Sequence, residues 1–261
     1  MKVVLLAAIC VFPSFGQSEK ERALGQALAA EIERGQIVVR DAEIVGYVER
    51  LAQKLSSQCF GNTTVDARVI VSSEPNGSAL PGGILFVNTG LIREAESEAE
   101  LAGVLGHLMA RVMPGPPPEA KEINGATLPV IFVGGRSGYA YRPTVHAPVA
   151  FAAAQRAAVS AADTRAVECI SAAGYDPEGF IASLKKTEEA KGPQKFSTHP
   201  APSERIENVQ ARIDRIASKP QYLLNTGALN ELRRRVERIY PAPRVNDPAP
   251  PSLRRAALPQ R

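Results

Sequence analysis

Glycine and proline divide this chain into helix-length segments, and only one region between those segments has the pattern of β-strands. Residues 64–71 alternate between polar and apolar side chains and are rich in β-branched residues. Residues 84–87 form a second, short apolar run. The stretch 76–83 is rich in glycine and small residues, which predicts a turn. Because the other periodic segments have helical spacing, the chain is predicted to be α+β and mainly helical. Helices are predicted over residues 19–34, 42–57, 98–113, 149–173, 177–189, 203–216 and 230–240.

Composition excludes several classes of protein. Apolar residues make up 44% and charged residues 22% of the 261 residues, which is typical of a folded globular chain rather than a disordered one. The net charge is only +4, and aromatic residues are 5% with no tryptophan. Neither a strong basic excess nor a platform for base stacking is present, so no nucleic-acid partner is predicted.

The first 16 residues are predicted to be a secretory signal peptide. A basic start at Lys2 precedes the ten-residue apolar run 3–12, and small residues follow a proline. The run is too short to cross a bilayer, and no later run reaches eighteen apolar residues, so the mature chain is predicted to lack a transmembrane segment. We expect a mature N-terminus at Gln17 and an exported protein, periplasmic or secreted. Cys10 raises the alternative of a lipoprotein signal, although Ile9 before it is bulky where a small residue is needed.

The mature chain is predicted to consist of one domain and a tail. The domain covers residues 17–240. Residues 241–261 contain six prolines and four arginines without apolar periodicity, so this tail is predicted to be disordered. Two cysteines remain in the domain, Cys59 and Cys169. In an oxidising compartment they are compatible with a disulfide, and two buried thiols are an equal alternative.

Several short motifs follow one another in a characteristic order. Ser97 and Glu100 predict a capping box that opens an apolar helix, and a proline-rich run ends that helix after Met113. The motifs are L-P-G-G-I-L-F-V-N-T-G-L at 80–91, E-L-A-G-V-L-G-H at 100–107, A-D at 162–163, A-G-Y-D-P at 173–177, T-H-P at 198–200 and R-I at 205–206. In this order they resemble the zinc metallopeptidases of the CAAX-prenyl-protease, HtpX and BepA type. The resemblance implies a gluzincin-like fold with a small sheet beside the active-site helix.

The resemblance also implies a zinc site, and this sequence departs from it. The family reads H-E-x-x-H, in which two histidines bind zinc and the glutamate activates a water molecule. Here His107 is kept, Leu108 replaces the glutamate and Arg111 replaces the second histidine. Val159 aligns with the family's third ligand, a glutamate. Because a catalytic zinc site needs three protein ligands, we expect no bound zinc, no catalytic residue and a vestigial His107.

Two other interpretations of His107 remain at this point. A rebuilt metal site is conceivable from His107, Asp163 and His199, since the T-H-P segment approaches the zinc in BepA-like members. Alternatively, His107 is a buried polar residue that is hydrogen-bonded inside the helix bundle, with Asp163 as a retained carboxylate.

The family's strand beside the cleft can pair with extended substrate backbone, so the resemblance implies a polypeptide-binding groove that persists without catalysis. Its expected residues are Gly82, Gly83, Ile84, Leu85, Phe86 and Val87.

Three functions compete on the sequence alone. The first is an exported, inactive relative of the metallopeptidases that binds polypeptides or envelope proteins as a chaperone, scaffold or regulator. The second is an active zinc metalloendopeptidase with a rearranged site, for which zinc would be the cofactor. The third is an interaction protein that uses the basic helix 231–240 and the tail. That helix carries Arg233, Arg234, Arg235 and Arg238.

Overall fold

The structure is a computed structural model and describes residues 19–61, 63–113, 132–133, 149–191, 200–216 and 221–242. The predicted signal peptide and residues 243–261 lie outside the described residues. The elements are α1 Glu19–Gly35, α2 Ala42–Cys59, β1 Asp66–Ile70, β2 Gly77–Leu80, β3 Ile84–Asn88, α3 Thr89–Glu94, α4 Glu98–Val112, β4 Phe132–Val133, α5 Val149–Ala172, α6 Glu178–Lys191, α7 Pro202–Ile213 and α8 Ala228–Ile239. The predicted α+β, mainly helical fold is confirmed.

Local sequence signals account for the helix starts. Asp41 accepts hydrogen bonds from the backbone N–H groups of Glu43 and Ile44, and Ser97 accepts one from Glu100, as expected for helix N-caps. The Glu100 carboxylate accepts from the backbone N–H of Glu96 at 2.9 Å. Both caps fix helices that carry the hydrophobic core, and α4 is the helix that carries His107.

The sheet has the strand order β1-β3-β2-β4. Strand β3 pairs with β1 in parallel and with β2 in antiparallel orientation, while the two residues of β4 pair with β2. The turn predicted over 76–83 is therefore wrong for residues 77–80, which form strand β2. Its residues are small because the neighbours are close: a Cβ on Gly77 would lie 2.6 Å from the Phe86 carbonyl oxygen and 2.8 Å from Leu108 Cδ1.

The groove expected at residues 82–87 also needs correction. The four residues Ile84–Val87 are buried, and their backbone is paired with β1 on one edge and β2 on the other. Gly82 and Gly83 have φ of 83° and 75° and form the turn between the two strands. A Cβ on Gly82 would lie 2.8 Å from Arg22 Cα, so helix α1 covers this turn. An added strand cannot pair with β3, because both of its edges are already used.

The sheet separates two hydrophobic clusters. The larger one packs α2, α4, α5, α6 and α8 against one face of the sheet. The smaller one joins α1 to the other face through buried apolar side chains, namely Ala29, Ile70, Leu80, Ile84 and Phe86. Gly25 makes this contact close, since a Cβ there would lie 1.8 Å from the Pro81 carbonyl oxygen.

A disulfide joins Cys59 at the end of α2 to Cys169 near the end of α5. The two Cα atoms are 5.4 Å apart, within the ordinary range for a bridge. Of the two alternatives for these cysteines, the structure has the disulfide. The bridge ties together residues that are 110 positions apart.

Across the part of the chain that the structure describes, no helix combines the length and apolar character needed to span a membrane.

Candidate functional site

Helix α4 is held rigidly at its N-terminal end. Glu98 is buried and accepts a hydrogen bond from the Tyr175 hydroxyl at 2.7 Å, and the Thr226 hydroxyl donates to its second oxygen. Burial and the adjacent Glu98 carboxylate raise the pKa of both Tyr47 and Tyr175 above the usual value, so both hydroxyl groups remain protonated. The first turn of α4 is thereby fixed to the C-terminal part of the domain.

Small residues let α4 and α6 approach closely beside the candidate site. A Cβ on Gly103 would lie 2.7 Å from Phe180 Cβ, and one on Gly179 would lie 2.6 Å from the Ala99 carbonyl carbon. Phe180 then stacks against the His107 ring, with centroids 6.0 Å apart. The α4–α6 contact therefore sets the position of the imidazole.

His107 is linked to a buried ion pair. Its Nδ1 lies 2.7 Å from Oδ1 of Asp163 on α5. Arg205 on α7 donates to both oxygens of the same carboxylate, from Nε at 2.7 Å and Nη2 at 2.8 Å. The carboxylate thus joins three helices. The imidazole therefore lies directly beside this carboxylate, on the side of α4 that faces α5.

Burial and charge set the ionisation of this cluster. Burial alone would raise the pKa of Asp163, but the hydrogen bonds from Arg205 and His107 more than offset it and hold the pKa at about 2. The pKa of His107 is lowered, mainly by burial, and the charges of Arg205 and Arg111 add to the shift while Asp163 opposes it. At neutral pH the cluster therefore holds an ionised Asp163 and a largely neutral His107.

Arg111 follows His107 by one helical turn and belongs to the same electrostatic cluster. Burial lowers the pKa of Arg111 to about 9, Asp163 opposes this shift and Arg205 adds to it. The guanidinium is still charged at neutral pH. Two cations and one carboxylate consequently occupy the region in which the family resemblance implies a metal.

The residues present do not fit a zinc ion. Leu108 and Val159 are 6% and 0% exposed and offer only hydrocarbon. Asp163 is engaged by Arg205 and His107, so among the described residues the imidazole is the one ligand of the expected kind. Among the described residues, no group of three or more His, Cys, Asp or Glu side chains is placed to hold a metal. His199, the other candidate ligand, lies outside the described residues.

The structure brings His107, Asp163 and Arg111 together, as the alignment with the family implies. Val159 lies one turn before Asp163 on α5, as the alignment also requires. Arg205 was recognised only as part of the R-I motif, and its role was missed. The sequence does contain one signal for it. Arg205 lies on the same face of the amphipathic helix α7 as Val209, and both residues are buried.

A helix carrying a partly buried histidine packs beside a small mixed sheet, with a carboxylate on the next packed helix, which is the arrangement that the resemblance to the metallopeptidases implies. The model of Peptidase family M48 matches residues 39–213, and the chain belongs to this family. The resemblance inferred from the motifs is confirmed.

Two relatives share the name beta-barrel assembly-enhancing protease. The protein from Yersinia pestis is 23% identical over 244 residues, covering 83% of this chain and 50% of the relative. The protein from Escherichia coli K12 is 21% identical over 224 residues, covering 78% of this chain and 45% of the relative. The chain thus spans about half the length of these relatives.

Proposed function

We propose that this chain is an exported, non-catalytic member of peptidase family M48 that acts by binding polypeptides as a chaperone, scaffold or regulator. The observation that carries the proposal is the partly buried, charged Arg111 in the electrostatic cluster of the His107–Asp163 pair. A permanent guanidinium charge repels a divalent cation and cannot coordinate one. Leu108, at the position of the general base, can neither accept nor deliver a proton.

Two observations support export. The Cys59–Cys169 disulfide suits an oxidising compartment, since such bridges are rare where thiols are kept reduced. The N-terminal sequence has the charge and apolar pattern of a signal peptide. The mature N-terminus is expected at Gln17.

Strand β2 supports binding of an extended polypeptide and replaces β3 as the proposed docking strand. One edge of β2 pairs with β3, and within the described part of the chain its other edge pairs with two residues, through Ser78 with Val133 and Ala79 with Phe132. This edge therefore already accepts an antiparallel chain. A longer strand in the same place would satisfy more backbone groups than β4 does. The name of the relatives points to envelope polypeptides that form β-strands as the partner class.

The proposal of an inactive site is tested by metal analysis and proteolysis. Purified mature protein should contain no stoichiometric zinc, and it should not cleave casein in a reaction that a chelator stops. One zinc per chain together with chelator-sensitive cleavage would overturn the proposal in favour of an active endopeptidase.

The proposal of polypeptide binding is tested with a labelled peptide of about ten alternating apolar and polar residues, the pattern of a β-barrel strand. Binding is measured by fluorescence anisotropy. The double change Phe132→Pro and Val133→Pro removes both N–H groups of β4, one of which faces β2 in an antiparallel ladder, so it should free the β2 edge and tighten peptide binding by about tenfold.

The matched control is Phe132→Ala with Val133→Ala, which keeps both N–H groups and should tighten binding much less. Equal effects of the proline and alanine pairs would contradict docking at the β2 edge. Absence of peptide binding in all three proteins would contradict the binding function itself.

A further inference from the structure

A cavity of about 370 Å³ lies between α3 and α8, lined by residues that take no part in the His107 cluster. The lining residues are Arg93, Asn230, Arg233, Arg234 and Glu237. Four of them recur on one face of α8, and Arg93 comes from α3. A cavity of this size is at the lower end of the range of small-molecule sites.

Backbone carbonyl groups orient two of the three guanidinium groups. Arg93 donates from Nη1 to the Tyr240 carbonyl oxygen at 2.8 Å. Arg233 donates from Nε to the Arg93 carbonyl oxygen at 3.0 Å. A carbonyl acceptor fixes the orientation of a guanidinium group but leaves its full positive charge in place. The two groups are therefore pre-organised and still cationic.

The cavity lacks enough negative charge of its own. Glu237 is the one carboxylate among the described residues that line it. It lies 3.9 Å from Arg93 Nε and is 57% exposed, so the pairing is long and screened by solvent. Three guanidinium groups against one carboxylate leave a formal excess of two positive charges. The sequence after Ala242 adds four arginines and one aspartate and so supplies no compensating excess of negative charge.

Another arginine of the same helix has its positive charge compensated by carboxylates of this chain. Arg235 donates to both Asp41 oxygens, at 2.7 and 2.8 Å, and also pairs with Glu43 at 3.0 Å. These bonds hold α8 against the start of α2. Of the four arginines of α8, one is bonded to carboxylates, two line the cavity, and the fourth, Arg238, does not line it.

We propose that this cavity binds a phosphate monoester, either a free metabolite or the headgroup of a lipid. A phosphate monoester carries nearly two negative charges at neutral pH and three acceptor oxygens, which matches the charge excess and the number of guanidinium groups. A carboxylate supplies one charge and two oxygens. The Asn230 amide adds a neutral donor at the rim.

The test uses the full mature chain and isothermal titration at low salt with inorganic phosphate and with glycerol 3-phosphate. A parallel arm measures binding to phosphatidylcholine vesicles with and without phosphatidic acid. Arg234→Gln, an exposed position on the cavity, should weaken binding by about tenfold, the effect of losing one charge-assisted hydrogen bond. Asn230→Glu, which adds a carboxylate at the cavity, should abolish it.

Arg238→Gln is the matched control, because it removes the same charge from the same exposed helix without lining the cavity. It should change affinity by less than about twofold, the size of a screened surface effect. Tighter binding of glycerol 3-phosphate supports a free ester, and tighter binding of phosphatidic acid vesicles supports a lipid headgroup. Equal losses in the Arg234 and Arg238 variants, or no binding of any probe by the unaltered protein, would overturn the proposal.

Discussion

The bidentate contact between Arg205 and Asp163 couples one buried carboxylate to the stability of the domain. The folded-state pKa of Asp163 is about 2, below the ordinary value of 3.8, so folding favours the ionised form. This contribution is fully present above pH 4 and is lost as the pH falls toward 2. Its size is about 2 kcal/mol, from the difference between the two pKa values.

We therefore predict that the free energy of unfolding falls more steeply between pH 4 and 2 in the unaltered protein than in Asp163→Asn. Urea unfolding at several pH values measures the slope of each. Asp163→Asn should also be less stable at pH 7, because a neutral amide cannot replace the carboxylate that binds Arg205. Parallel slopes in the two proteins would contradict the low pKa of Asp163.

At the level of single residues, the sequence predicted part of this cluster. One interpretation of His107 was a buried polar residue with Asp163 as a retained carboxylate, and in the structure its Nδ1 lies 2.7 Å from the Asp163 carboxylate. The contact of Asp163 with Arg205 spans 42 positions of sequence and depends on how α7 packs across α5. Helical periodicity can place Arg205 on the buried face of α7, but neither periodicity nor motif spacing encodes that packing, so its carboxylate partner was not predictable from the chain alone.

Helices α4 and α5 together provide a test of the family alignment. His107 and residue 111 are four apart on one helix, and Val159 precedes Asp163 by one turn on the packed neighbour. The triple change Leu108→Glu, Arg111→His and Val159→Glu should therefore create two imidazoles and one carboxylate that converge on a zinc ion. Structural zinc sites are worth about 10–16 kcal/mol, so even a poorly shaped site should bind at micromolar metal.

Zinc titration by calorimetry measures this repair, and zinc should raise the melting temperature of the triple variant. The matched control keeps Arg111 and carries only Leu108→Glu and Val159→Glu, and it should bind zinc far more weakly. A triple variant with an unchanged circular dichroism spectrum and no zinc binding would show that positions 107, 111 and 159 do not converge.

Helices and strands could be predicted where the sequence signal that determines them is local. Helices α2 and α4 begin at side-chain caps that the sequence displays, and both were predicted. Strand β2 was missed because its residues are small, and small residues are a turn signal in isolation. Gly77 is required there because Phe86 and Leu108 approach it closely, and this contact is tertiary rather than local in sequence.

Across the whole molecule, the disulfide closes a long loop between α2 and α5. Such a bridge stabilises chiefly by restricting the unfolded chain, and its loss from a domain costs about 2–5 kcal/mol. Cys59→Ala with Cys169→Ala should lower the free energy of unfolding by that amount, as measured by urea denaturation. The unaltered protein in reducing agent should show the same loss of stability. A free energy of unfolding that does not change on reduction would contradict the presence of the bridge.

Arg111 determines how this centre obtains its positive charge after the chain is synthesised. A metallopeptidase completes its centre by acquiring an ion from its surroundings, so its charge depends on the supply of that ion and can be stripped by a chelator. Here the positive charge beside Asp163 is part of the polypeptide and is present in every copy from the moment the helix forms. Under the proposed function, completion of this centre therefore does not depend on a supply of zinc.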